Sequence, residues 1–325
     1  MFDLRGLFST ETIKGYFRSV PELKTPVMDL VFPERPQNPF PLVGVDDVLA
    51  VAHEVPLIKR GHPSIPATRE TGGINTYEPL SVRIHSQVLA SDLNNLKLVG
   101  RGSQELWAQN KFDLLRRSYR KTSEAICAQA LSGRIEWPVR IEGGAFDTYT
   151  VDYGQVLSVE SERLWDAADV RLVHIVKTLL DMKKALQVHG YGSTLEIWAG
   201  DSAFEALFIL AENHISTAKI RVEVTADGIN VCGFLVKQRA ETYRDPATGQ
   251  IRPIVAENSL RMIATDAGHK LVYCAVDDLD ANLQPLPLFI KPVKIEDPSG
   301  WTLIAEGKPF PVVNVRGICD AQVLA

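Results

Sequence analysis

The chain has 325 residues, 45% hydrophobic and 23% charged, with a net charge of −5, so it can bury a sizeable core and is neither disordered nor collagen-like. The acid excess argues against a dedicated nucleic-acid binder, which needs surplus Lys and Arg to displace phosphate counterions. The start, Met1-Phe2-Asp3-Leu4-Arg5, lacks a secretory pattern, and no apolar run approaches the roughly 18 residues of a membrane span. Cys127, Cys232, Cys274 and Cys319 form no CxxC pair, so the reading is a soluble intracellular protein with buried reduced thiols.

Ten of the 19 prolines fall in the first 80 residues, where each fixes φ and removes a backbone donor, so this quarter is not regular helix. The run from Val31 to Pro41 still carries Phe32 and Phe40, which a solvated linker would lack. It predicts an extended strap, either on its own domain or crossing to another subunit. Residues 57–100, punctuated by Gly61, Gly72 and Gly73, predict two strands around a glycine turn. Such a ribbon is marginal alone and needs a neighbour.

Between Leu80 and Trp137 there is no proline. Ser103 suits a helix N-cap and Gly133 a C′ position, which predicts a helix over 103–132, about 45 Å long. Trp107, Leu114, Leu115, Tyr119, Ile126 and Ala130 give its apolar stripe, and Lys111, Arg116, Arg117, Arg120 and Lys121 mark the other face, either solvated or touching a polyanion. Ile135, Trp137, Val139 and Ile141 then alternate, Gly143-Gly144 turns, and Tyr149, Val151 and Tyr153 return, a hairpin signature.

A second helix is expected over 167–189, with Val170, Val173, Val176, Leu179, Leu180 and Leu186 inward and Gly190 ending it. A buried strand over 194–199 and a helix over 203–212 starting at Asp201 complete an α/β unit. Asp227-Gly228 and 245–249 mark hairpins, 259–264 and 270–276 read as strands, and the proline-rich last 40 residues read as extended edges and turns.

The search for chemistry returns no P-loop, GxGxxG, GxSxG or HExxH pattern. The seven histidines include no pair at ligand spacing on a helix. Asp277, Asp278 and Asp280 lack the glycine and distal glutamate of a calcium loop, and a solvated turn fits them better. No catalytic, cofactor or metal site is expected.

The order of parts resembles the major capsid proteins of tailed phages, the lambda-type capsid protein E family of the Hong Kong 97 fold. The resemblance is carried by residues 71–79 (TGGINTYEP), 144–154 (GAFDTYTVDYG), 297–301 (DPSGW) and 322–325 (QVLA) in joint order. It implies an α+β fold with an N-terminal arm over 1–56 and an extended β-hairpin loop over 57–101. A peripheral domain would take 102–160 and 285–325, with a spine helix at 103–132 and a β-sheet, and an axial α/β domain 161–284. It also implies a non-enzymatic protein without cofactor that assembles with itself into hexamers and pentamers of an icosahedral shell around double-stranded DNA. Scaffolding, portal and decoration proteins would be partners, with no membrane, in a virion capsid assembled in the host cytoplasm. Phe32, Phe40, Arg60, Arg69, Glu70 and Tyr77 are the candidate assembly residues; Lys111, Arg116, Arg117, Arg120 and Lys121 are the candidate weak DNA contact on the inner face. The alternatives are a nanocompartment shell of the same fold and an oligomeric α/β metabolic enzyme.

Overall fold

One thirty-residue helix and two β-sheets carry the core. The computed structural model describes residues 12–13, 15–16, 23–45, 76–98, 101–212 and 220–325. After helix α1 (Pro26–Leu30) come the short strands β1 (Gln37–Asn38), β2 (Val43–Gly44) and β3 (Thr76–Tyr77), then β4 (Val82–Leu89), α2 (Ala90–Leu96) and the long helix α3 (Arg101–Ala130). The hairpin β5 (Arg134–Arg140) and β6 (Phe146–Asp152) follows in the expected register, Ile135 opposite Val151 and Trp137 opposite Tyr149.

Helix α3 ends where Gly133 takes φ +85°, and a Cβ there would strike the Gly154 carbonyl oxygen. Its buried stripe keeps Leu115, Tyr119 and Ala130 of the expected one and differs elsewhere. Gln104, Ala108, Phe112, Leu115, Tyr119, Ser123, Cys127 and Ala130 face inward, Trp107 is half-buried and Leu114 is 58% exposed. The stripe includes polar residues that a count of apolar positions skips. Gln104 is satisfied by donating to the Leu96 carbonyl at 2.7 Å, and Ser123 by donating to that of Tyr119 at 3.0 Å.

Beneath α3 lies a five-stranded sheet ordered β1, β15 (Lys270–Cys274), β17 (Gly300–Val312) and β16 (Phe289–Ile295), with β4 also pairing β17. Residues 82–89, expected in the extended loop, are thus built into this sheet opposite Gly300–Gly307. Pro309 and Pro311 lie where β15 is the one strand paired with β17, so their missing N–H groups leave the rest of the ladder intact. Gly307 faces α3, and an added Cβ would lie 2.4 Å from the Tyr119 hydroxyl and 2.8 Å from its ring. Gly307→Ala is therefore expected to overpack the helix–sheet seam and to cost about 1–3 kcal/mol in urea unfolding.

The second sheet runs β7 (Leu157–Ser158), β18 (Ile318–Gln322), β14 (Ser259–Ala264), β8 (Leu195–Ala199), β11 (Phe234–Gln238), β10 (Gly228–Val231) and β9 (Val222–Thr225). Helices α4 (Leu172–Val188) and α5 (Asp201–Glu212) cover one face. In α4 the inward residues are Leu172, Ile175, Thr178, Leu179, Met182 and Leu186, while the expected Val173 and Leu180 are exposed. Between β10 and β11 the chain makes a tight turn at Cys232 and Gly233, both at positive φ, so Cys232 is exposed and the other three cysteines are buried. Strand pairing also crosses the expected boundaries: β18 joins the sheet of β8 and β14, and β15 joins that of β17. The separate hairpin β12 (Thr242–Arg244) and β13 (Ile251–Pro253) leans Tyr243 on Trp137 at 6.3 Å.

The strap, which the sequence leaves free to lie on its own domain or to cross to another subunit, is in large part a core element of its own chain. Val27, Met28, Val31, Phe32, Val43 and Val45 enter one cluster with Leu131, Trp198, Ile263 and Phe310, which joins both sheets to the end of α3. An extended apolar segment satisfies the burial argument as well by folding back as by crossing over.

Candidate assembly surfaces

The strap is fixed to α3 by charge as well as by packing. Glu124 accepts the N–H groups of Val27 at 2.7 Å and Met28 at 2.9 Å, the donors α1 cannot satisfy itself. Burial pushes the Glu124 carboxyl above the usual range, against the pull of these two bonds. Arg120 donates to the Thr25 hydroxyl at 2.7 Å and pairs with Asp29 at 3.0 Å. Asp29 also accepts from the Thr25 N–H and from Arg35, and these bonds and charges hold its carboxyl below its usual range despite desolvation. The proline count predicts no regular helix in this quarter, yet Pro26–Leu30 is helical, because Pro suits the first helical position and Asp29 accepts the Thr25 N–H. Glu124, on a helix surface, gives no sequence signal of its role.

The sequence candidates separate accordingly. Phe32 is fully buried in its own chain, and the half-buried Tyr77 packs its ring on Phe310 and donates to the Asp152 carbonyl at 2.8 Å. Phe40 is 68% exposed between Pro39 and Pro41. Arg60, Arg69 and Glu70 lie outside the described residues.

The basic face of α3 is not one solvated patch either. Arg120 is committed to the strap, Lys111 sits over the Trp107 ring at 5.2 Å, and Arg117 pairs with Asp113 at 3.5 Å. Arg116 is half-buried, whereas Lys121 is exposed.

Strands β2 and β3 pair Val43 with Tyr77 and Gly44 with Thr76, so the chain leaves at Val45 and returns at Thr76 beside its point of departure. Tyr149 secures this root by donating to the Glu78 carbonyl at 2.7 Å. Asp277, Asp278 and Asp280 are occupied by lysines: Lys308 binds Asp277 at 2.5 Å, and Lys291 binds Asp278 and Asp280 at 2.8 and 2.7 Å. Among the described residues no group of three His, Cys, Asp or Glu side chains is placed to hold a metal ion, and no helix is long and apolar enough to cross a membrane.

The family described as phage major capsid protein E matches residues 9–323. No curated protein sequence matches. Among solved structures the chain is similar to an E. coli CFT073 prophage protein assigned as its capsid protein, with a TM-score of 0.64, 12% identity, and coverage of 98% of this chain and 99% of that one. A phage-related protein of Bordetella bronchiseptica RB50 (TM-score 0.49, 11% identity, 97% of each chain) overlays more loosely and carries no argument. The same holds for the SrpI encapsulin of Synechococcus elongatus PCC 7942 (TM-score 0.45, 8% identity, 96% of this chain and 95% of that one).

The fold is therefore the α+β, Hong Kong 97-type capsid fold. A family of structural capsid proteins, matched over nearly the whole chain, favours neither the nanocompartment nor the metabolic enzyme. The chain belongs to the phage major capsid protein E family and is a shell-forming major capsid protein.

Proposed function

We propose that this chain forms hexamers and pentamers of an icosahedral head that encloses packaged double-stranded DNA, and that residues 46–75 are exchanged between neighbouring copies. The observation that carries this reading is the root at β2 and β3. Thirty residues depart from and return to one hydrogen-bonded pair that Tyr77 and Tyr149 tie to the β5–β6 hairpin. A rigid root of this kind aims an excursion at a neighbour and reduces the entropy lost on docking. Interfaces built this way belong to the obligate class, above roughly 2,000 Å² in total.

A net charge of −5 keeps contact with the genome weak and non-specific, as packaging and release require. Scaffolding, portal and decoration proteins would meet this shell, with assembly in the host cytoplasm. Replacing 46–75 by a short Gly-Ser turn tests the reading: the expected product is a folded subunit that no longer closes into shells under electron microscopy. Normal particles from that variant would refute the exchange. Purified wild-type particles are expected to hold nuclease-protected DNA, and protein cargo instead would overturn the phage-head assignment.

A further inference from the structure

Residues 275–284 form a rigid turn that holds leucines out in water. The Asp278 side chain accepts the Asp280 N–H at 2.9 Å, its carbonyl accepts the Leu283 N–H at 3.2 Å, and the Val276 N–H reaches the Gln284 carbonyl at 3.2 Å. Lys291 clamps the turn through Asp278 and Asp280, and Ala281 is buried beneath it. In this frame Asn282 and Leu283 both adopt left-handed φ, +52° and +53°, a conformation that a leucine disfavours. The result is Leu279 at 83% and Leu283 at 52% exposure, beside the exposed Asp277 and Asp280. A strained, fully bonded turn that exposes apolar side chains has its ordering entropy already spent, which is what a docking knob requires.

A groove of complementary character lies on α3. It has a volume of about 810 Å³, with Trp137, Tyr243 and the 71%-exposed Ile251 as apolar walls and Lys24, Arg117 and Lys121 among five basic residues set against Glu124 and Glu241. The Glu124 carboxylate is already satisfied by backbone donors. Lys24 and Lys121 are exposed and have no ion pair among the described residues. In a chain of net charge −5 this is a local cationic rim around an apolar floor. A duplex lying on the surface would meet the rim and leave the walls wet, whereas a turn with a leucine at its tip and one net negative charge, Asp277, Asp278 and Asp280 against Lys308 and Lys291, meets both.

One copy cannot fill its own groove. Gly307 touches Tyr119 of α3, so Lys308, the next residue in β17, points to the opposite face of the sheet, where it holds Asp277. The turn and the groove are separated by the sheet. We propose that the Leu279 turn of one copy seats in the α3 groove of the next, Leu279 between the aromatic walls and Asp277 and Asp280 towards Lys24 and Lys121. Unlike surfaces that meet in this way repeat head to tail, and close into rings where the rotation between copies closes. The inference rests on the shell-forming reading and names a contact within it.

Leu279→Cys and Ile251→Cys together, in a Cys232→Asn background, test it. Particles treated with a short bis-maleimide are expected to give a ladder of covalent multimers on a denaturing gel, and either single cysteine is expected to give none. Monomer alone, or a link within one chain, overturns the contact. Leu279→Asp changes an exposed side chain, so the subunit should keep its unfolding midpoint while the yield of closed particles falls at least tenfold. An unchanged yield sinks this contact and leaves the shell reading standing, whereas wild-type protein that never forms particles sinks both. Protection of Lys24 and Lys121 from acetylation in DNA-filled but not emptied particles would give the groove to phosphate instead, and would also overturn the proposal.

Discussion

Phe32→Ala is expected to destabilise the isolated subunit by about 3–5 kcal/mol in urea unfolding, the range for removing a fully buried aromatic side chain. Phe32 is inaccessible to solvent, lies 6.1 Å from the His269 ring, and shares its cluster with Val31, Trp198 and Phe310. Phe40→Ala, eight residues on in the same proline-rich run, removes an exposed ring and is expected to stay within about 0.5 kcal/mol. The pair separates two roles for one segment. If the strap served assembly alone, neither change would alter the folding of a lone subunit. A loss under 1 kcal/mol for Phe32→Ala would show that residues 26–45 are dispensable to the core, and deletion of residues 1–50 would then leave the fold intact.

Those two phenylalanines mark the limit of what was legible in the chain. Both stand among prolines with apolar neighbours, and a burial argument says that such residues seek a partner without saying whose. Strand and helix periodicity placed α3, the β5–β6 hairpin, β8, α5, β14 and β15 because each carries its own repeat and punctuation. The inward face of α3 was missed where Gln104 and Ser123 replace apolar residues, since their acceptors are backbone carbonyls that no pattern displays. Residues 82–89 read locally as part of a two-stranded ribbon because their partner, Gly300–Gly307, is more than 200 positions away. The assembly candidates suffered in the same way. Arg120 reads as one cation on a basic face until Asp29 and Thr25, some 90 residues earlier, are brought beside it. The family resemblance supplied the architecture that local spacing could not, but it did not assign single side chains.

The core built around Phe32 also fixes how the subunit should respond to acid. His269 is almost fully buried between the strap and the turn at Gly317, and its Nδ1 accepts the Asn314 N–H at 3.3 Å. Burial lowers its pKa from 6.5 to about 4, and a hydrogen bond to the Ala264 backbone and the nearby Asp266 offset this in part. Because the folded pKa lies below the unfolded one, the folded state binds fewer protons between these values. Stability from this site is complete above pH 6.5 and is lost as pH falls through 4, a loss of about 3 kcal/mol. The raised pKa of Glu124 acts in the opposite sense, favouring the folded state as that carboxyl takes up its proton, so the comparison must be made against a variant that changes His269 alone. His269→Asn keeps an acceptor for Asn314 and has no proton to gain. Urea unfolding of both proteins at pH 7 and pH 4 should show the wild type losing about 3 kcal/mol more than the variant. Equal losses would mean that the imidazole charges without opening the strap, and the core at Phe32 would have to be looser than its packing shows.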